Sequence, residues 1–226
     1  MSCPPQTISQ TTWLPLPTRF AQSLWNPQNH LDVATVTYAR AQIAEEVGDL
    51  TAAAASWDDY ALMYADPSVA IGLPWSLCWA APTYEKTAQA AKADAALAAP
   101  LKVSGTSTYV DCYRFRADVL DLRGDWAGAQ QWYEKAVKLA PSVPSGYYSW
   151  GLALAKHGDP AGAESKLKEA NQRGPHWADP LKAWGDVLVK MGDPKKALAK
   201  YDEALKYAPN WKQLKEAREA AAKAPH

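Results

Sequence analysis

No stretch of the 226 residues approaches the roughly 20 consecutive apolar positions that a membrane helix needs, so insertion into a membrane is not expected. The opening MSCPPQTISQTTWLPLPTRF has no basic stretch followed by an apolar run, so it does not read as a secretory signal, and the expected location is cytoplasmic. Neither sign of charge is in excess, with 24 Lys and Arg against 24 Asp and Glu, which argues against a nucleic-acid partner. Cysteines number only three, Cys3, Cys78 and Cys112, with no CxxC pair. A disulfide framework is not expected, and the reading is of buried or incidental thiols in a reducing compartment. A Cys78–Cys112 bridge stays open, since both positions read as helical and the helices could be neighbours; it needs Cα atoms within about 7 Å.

Chemistry-bearing motifs are equally scarce. The four histidines, His30, His157, His176 and His226, are scattered, and none pairs with another His or a Cys at metal-ligand spacing. There is no GxGxxG, GxxxxGK[ST] or GxSxG. The acidic series Asp111, Asp118, Asp121 and Asp125 runs along a helix rather than round a cation-binding loop. No enzyme activity, cofactor or metal is therefore expected. Phe is nearly absent, 2 residues against 11 Trp and 11 Tyr, and strand-favouring runs are few, whereas Ala is about one residue in five. These proportions favour helices.

What the sequence does contain is a repeat. Gly-Asp occurs at Gly124-Asp125, Gly158-Asp159 and Gly192-Asp193, in steps of 34. The same step relates Pro141, Pro175 and Pro209; Ala129, Ala163 and Ala197; Ala136, Ala170 and Ala204; and the large side chains Tyr133, Leu167 and Tyr201. In each copy the glycine suits a positive φ where a first helix ends, and the aspartate suits the N-cap of a second. In Asp159-Pro160 and Asp193-Pro194 a proline takes the first helical position. One helix pair of this length cannot bury its apolar face alone, so the pairs must stack.

The pattern resembles the tetratricopeptide repeat, a 34-residue helix–turn–helix unit. That family has a large and a small residue at positions 7 and 8, Gly near 15, Ala at 20, an aromatic at 24, Ala at 27 and Pro at 32. Trp150-Gly151 and Trp184-Gly185 match positions 7 and 8, while the first strong copy has Arg116-Ala117 there. The resemblance places repeats at 110–143, 144–177 and 178–211, with weaker copies at 34–67 and 69–102. The copy at 34–67 has Gly48-Asp49 at its turn and Trp57 at position 24. The copy at 69–102 lacks the turn glycine, carrying Thr83 after Pro82, and has Ala88 at position 20. Residues 210–224 read as a capping helix with Trp211, Leu214 and Ala217 on its apolar side. Residues 1–33 form a Pro- and Trp-rich segment packing on or leading into the first repeat, with a short helix over 18–25. The expected fold is an all-α, right-handed superhelical solenoid.

In this family the first helices line a concave groove through positions 2, 5, 9 and 12. Here that implies Tyr38 and Gln42, Leu73 and Leu77, Arg114, Asp118 and Asp121, Tyr148 and Leu152, and finally Lys182 and Asp186. Such a mixed lining suits a peptide or a helix of a partner protein. The carboxylate clamp of one family branch is not reproduced: its positions carry Arg114, Asp118, Ser149, Asp179 and Ala183, and the two aspartates would repel a carboxylate. The expected function is an adaptor or scaffold. The alternative is a regulatory or oligomerising module of a longer enzyme or signalling protein, and self-association through the N-terminal end is a further expectation.

Overall fold

The computed structural model describes residues 33–65, 74–98 and 110–224. The Pro- and Trp-rich segment before Val33, Leu73, Pro67 and Pro100 lie outside the described residues. Among those residues there are eleven α-helices, one 3₁₀ helix and no strand. Helices α1 (Val33–Val47) and α2 (Leu50–Ala65) form the first pair. A 3₁₀ helix (Pro74–Ala80) runs into α3 (Ala81–Lys86), which pairs with α4 (Ala90–Ala98). Then come α5 (Val110–Leu122) with α6 (Trp126–Leu139), α7 (Pro144–Lys156) with α8 (Pro160–Arg173), and α9 (Ala178–Lys190) with α10 (Pro194–Tyr207). Helix α11 (Lys212–Ala222) packs on α10 and closes the stack. The result is an all-α, right-handed solenoid of helix–turn–helix repeats with a C-terminal capping helix.

The turns explain the pairing. Gly48, Gly124, Gly158 and Gly192 adopt φ between 79° and 83°, where a side chain is disfavoured. After each, the aspartate N–H donates back to the carbonyl five residues earlier, as Asp125 does to Leu120, Asp159 to Leu154 and Asp193 to Leu188, all at 2.9 Å. That bond ends the first helix in a Schellman turn. The aspartate side chain then accepts from the third N–H of the next helix: Gly128 at 2.9 Å, Gly162 at 2.8 Å and Lys196 at 3.0 Å. A cap of this kind contributes about 1 kcal/mol. One dipeptide thus closes a helix and opens the next.

The second pair corrects the sequence reading. Thr83 is a buried residue inside α3, not a turn residue, and Ala88 is in the turn, not inside the following helix. Ala88 takes φ 59°, and the Gln89 N–H donates to the Tyr84 carbonyl at 2.8 Å, reproducing the glycine turns without a glycine. The turn therefore falls five residues later than the 69–102 register places it, at 88 instead of 83. Ala93, fully buried, then takes the small-residue place that Ala129 holds in the next pair. A search keyed on glycine misses this turn because alanine tolerates the left-handed region at a modest cost.

Side chains at positions 7 and 23 account for Arg116. Lys166 lies 4.6 Å from the Trp150 ring centroid and Lys200 4.2 Å from that of Trp184. In the preceding repeat the same contact is made with the partners exchanged, Arg116 lying 4.9 Å from the Trp132 ring. The cation–π contact is kept while its members trade helices. At position 8, a Cβ on Gly185 would come within 2.4 Å of the Tyr201 ring, and one on Gly151 within 2.8 Å of Leu167. These glycines permit the close helix approach. In the cap, Leu214 is fully buried against α10, while Lys212, Lys215, Glu216 and Glu219 face solvent.

Cys78 and Cys112 are joined by a disulfide, with Cα atoms 5.4 Å apart. This corrects the expectation of thiols: α5 packs against the 3₁₀ helix and brings the two positions within bridging range, which an odd cysteine count concealed.

Two outcomes follow from these contacts. Ala88→Gly should raise stability by about 0.5–1 kcal/mol in urea unfolding, since it relieves a left-handed alanine at some entropic cost; a loss of stability would contradict the turn assignment. With the bridge closing a separation of 34 residues, reduction should remove about 2–4 kcal/mol. Thiol titration of the unfolded chain should find one reactive thiol before reduction and three after it.

Candidate functional site

Helices α1, α5, α7 and α9 are the first helices of their pairs, the ones expected from the sequence to line an inner wall. Helix α7 packs against α5 on one side and α9 on the other. Polar bridges join α5 to α7: Ser145 donates to Asp111 at 2.7 Å, Arg114 to Ser149 at 3.3 Å, and Lys156 to Asp121 at 2.8 Å.

Each expected lining residue within the described segments has a definite place. Tyr38 on α1 is half-buried, edge-on to Trp57 at 5.6 Å and to Trp79 at 5.7 Å; burial pushes its hydroxyl pKa well above the ordinary tyrosine value. Gln42 donates to Glu45 at 3.5 Å. Glu45 also accepts from the Trp57 indole at 2.8 Å and from the Thr83 hydroxyl, joining α1, α2 and α3. Leu77 and Tyr38 both pack against the core of the first two pairs. Leu77 lines a cleft of about 570 Å³ with Asp58 and Leu62 of α2, Tyr84 of α3 and Lys92 of α4. The later turn moves Leu77 from position 9 to position 4 of its repeat.

On α5, Arg114 is only 13% exposed. Its guanidinium lies 3.6 Å from both Asp111 and Asp118 and 3.8 Å from the Phe115 ring centroid. Asp118 accepts from the Tyr133 hydroxyl at 2.5 Å. Burial raises its carboxyl above the ordinary value despite the opposing influence of Arg114 and Tyr133. Asp186 on α9 repeats the arrangement, accepting from Tyr201 at 2.8 Å and pairing with Lys182 at 2.7 Å. Where the middle repeat has Leu152 at the aspartate position, it has Leu167 at the tyrosine position. Position 9 thus matches position 24 in polarity across the three repeats.

Asp121, 10% exposed, accepts from Lys156 at 2.8 Å and from His157 at 2.5 Å. The His157 ring stacks on Trp126 with centroids 4.0 Å apart. Burial pushes the Asp121 carboxyl up, but the hydrogen bonds from Lys156 and His157 outweigh it and hold it below the ordinary carboxylate value. Tyr148 on α7 packs its half-buried ring against Trp177 at 4.8 Å, and Leu152 is 42% exposed. Lys182 lies 5.9 Å from the Trp211 ring centroid.

Sequence reasoning passed over Glu45 and Trp177, and it read Asp111 only in an acidic helix series and Trp211 only on the cap. Asp111 and Glu45 occupy groove positions 2 and 12, and Trp177 and Trp211 are one 34-residue step apart, so the periodicity held the signal. Among the described residues no cluster of three or more His, Cys, Asp or Glu is placed to hold a metal ion, and no helix is long and apolar enough to cross a membrane.

A pH test follows from Asp121. Its folded pKa lies below the unfolded value of about 3.9. Its stabilising contribution is therefore complete above that pH and is lost as pH falls through the folded pKa. Asp121→Asn should cost about 1–2 kcal/mol at pH 7 in urea unfolding, with the deficit shrinking on acidification to about pH 2.5. A deficit independent of pH would mean that packing, not the charge, is what Asn disturbs.

Comparison with known proteins agrees with this architecture. The tetratricopeptide repeat family profile matches residues 178–211. No curated protein matches the chain in sequence. A thermophilic tetratricopeptide repeat protein of Thermus thermophilus superposes with a TM-score of 0.65 at 20% identity, covering 85% of this chain and all of that one. A tetratricopeptide repeat protein from Parabacteroides merdae gives 0.64 at 15% identity, covering 86% of this chain and 73% of its own. YrrB, a repeat protein with an unusual peptide-binding site, gives 0.50 at 19% identity, covering 89% and 98%. Residues 178–211 match the tetratricopeptide repeat, and the chain as a whole has the fold of tetratricopeptide repeat solenoids.

Proposed function

We propose that the chain is a protein-interaction module that holds a segment of a partner, a peptide or a helix, along the inner wall of α5, α7 and α9. The observation that carries this reading is the centre of that wall. Leu152 is 42% exposed there, beside Tyr148 and Trp177, with charged residues of α5 and α9 on either side. Aromatic and apolar anchors with a polar border are the composition of protein-binding hot spots. YrrB, of similar fold, has a peptide-binding site, which fits the same use of the architecture. Not every inner-wall side chain serves equally. Arg114 and Asp121, 13% and 10% exposed and engaged within the chain, hold α5 to α7. Tyr148, Leu152 and Asp186 are the ones a partner meets.

The test is capture of partners from native lysate by the intact chain, followed by cross-linking to locate the contact. Tyr148→Ala/Leu152→Glu should reduce capture about tenfold or more. Glu134→Lys/Lys138→Glu, which reverses an exposed ion pair on α6, should leave capture unchanged. Equal capture by the inner-wall variant, with its thermal unfolding intact, would overturn the proposal.

A further inference from the structure

The charges on α5, α7 and α9 are balanced in number but not in exposure. These helices carry Asp111, Asp118, Asp121, Asp179 and Asp186 and the cations Arg114, Arg116, Lys156, Lys182 and Lys190; Arg114 pairs with Asp111 and Asp118, Lys156 with Asp121 and Lys182 with Asp186. Exposure separates them further. The Asp111 and Asp186 side chains are 36% and 40% exposed, whereas their own partners Arg114 and Lys182 are 13% and 21% exposed. An approaching chain therefore meets carboxylates first, with the cations tucked beneath them. Asp118 and Asp121 are more deeply set and held by Tyr133, Lys156 and His157. The lysines Lys86, Lys156 and Lys190 stand in the last turns of their helices.

Asp111, Tyr148 and Asp186 occupy positions 2, 5 and 9 of three successive repeats. They mark a diagonal across α5, α7 and α9, with Leu152 beside its midpoint. Helices packed about 9 Å apart, with an offset of about seven residues along their axes, make that diagonal about 20 Å long. An extended chain covers this in about six residues. Resting on the groove reading above, we propose that the occupant is a basic segment, with two cationic side chains about six residues apart seated on Asp111 and Asp186 and an apolar residue between them on Tyr148 and Leu152.

The test uses fluorescein-labelled peptides and anisotropy with the full chain. One has the core Lys-Ala-Ala-Phe-Ala-Ala-Lys, one has Glu in place of both lysines, and one is residues 1–32 of this chain. The lysine peptide should bind, and its affinity should fall about tenfold in Asp111→Asn/Asp186→Asn. It should also weaken several-fold between about 50 and 300 mM salt, a measurement that needs no variant. The glutamate peptide should not bind. Binding of the glutamate peptide that Tyr148→Ala/Leu152→Glu abolishes would overturn the charge assignment and leave the groove reading standing. A lysine peptide that fails to bind, or binds independently of salt and of the aspartates, would overturn the proposal. So would tighter binding by residues 1–32, whose single Arg19 does not fit the two-cation pattern.

Discussion

The structure depends on one backbone constraint, a left-handed residue followed by a side chain that caps the next helix. At Gly124-Asp125, Gly158-Asp159 and Gly192-Asp193 the reversal is made by the positive φ, and the new helix starts because the aspartate accepts one of its otherwise unpaired N–H groups. The hairpin angle is then the same from copy to copy, and identical hairpins stack in a superhelix. Everything on the inner wall inherits its position from that turn. A five-residue change in where it falls, at Ala88, moves Leu77 from position 9 to position 4 of its repeat, where it lines a cleft against α2 and α4.

Stacking also decides what polar groups are for. Helices approach closely at Gly151 and Gly185, leaving space for the large residue at position 24 and nothing else. When that residue is tyrosine its hydroxyl needs an acceptor, and the aspartate at position 9 supplies it, in Asp118 with Tyr133 and Asp186 with Tyr201. The leucine pair of the middle repeat, Leu152 and Leu167, meets the same requirement by having no polar group to satisfy. The aspartates are thus structural first, each satisfying the hydroxyl of the tyrosine packed against it. The disulfide adds a staple where the pattern is weakest, between the 3₁₀ helix and α5.

Much of the fold was legible because periodicity is a linear property. The Gly-Asp turns, the small residues Ala129, Ala163 and Ala197, and the alternation of bulky partners all recur at a fixed step and need no knowledge of the third dimension. Ala88 was illegible because its role is a dihedral angle, not a residue type. Trp132 and Arg116 broke the position-7 pattern only in sequence; in space their contact is the one made by Trp150 with Lys166. Cysteine parity said nothing of Cys78 and Cys112 because bridging depends on distance, and 5.4 Å is set by helix packing.

The sequence by itself determined the helical class, the repeat length and the turn at each glycine, since propensity and spacing act within one hairpin. Only the tertiary structure decided which inner-wall groups are engaged and which face outward. Arg114 and Asp121 read as lining residues on the same footing as Tyr148 and Leu152. Contacts between helices, from Ser149, Lys156 and His157, draw the first two into the fold and leave Leu152 exposed. Those contacts join residues about 35 apart in the chain, and no local pattern encodes whether a charge at that separation is satisfied.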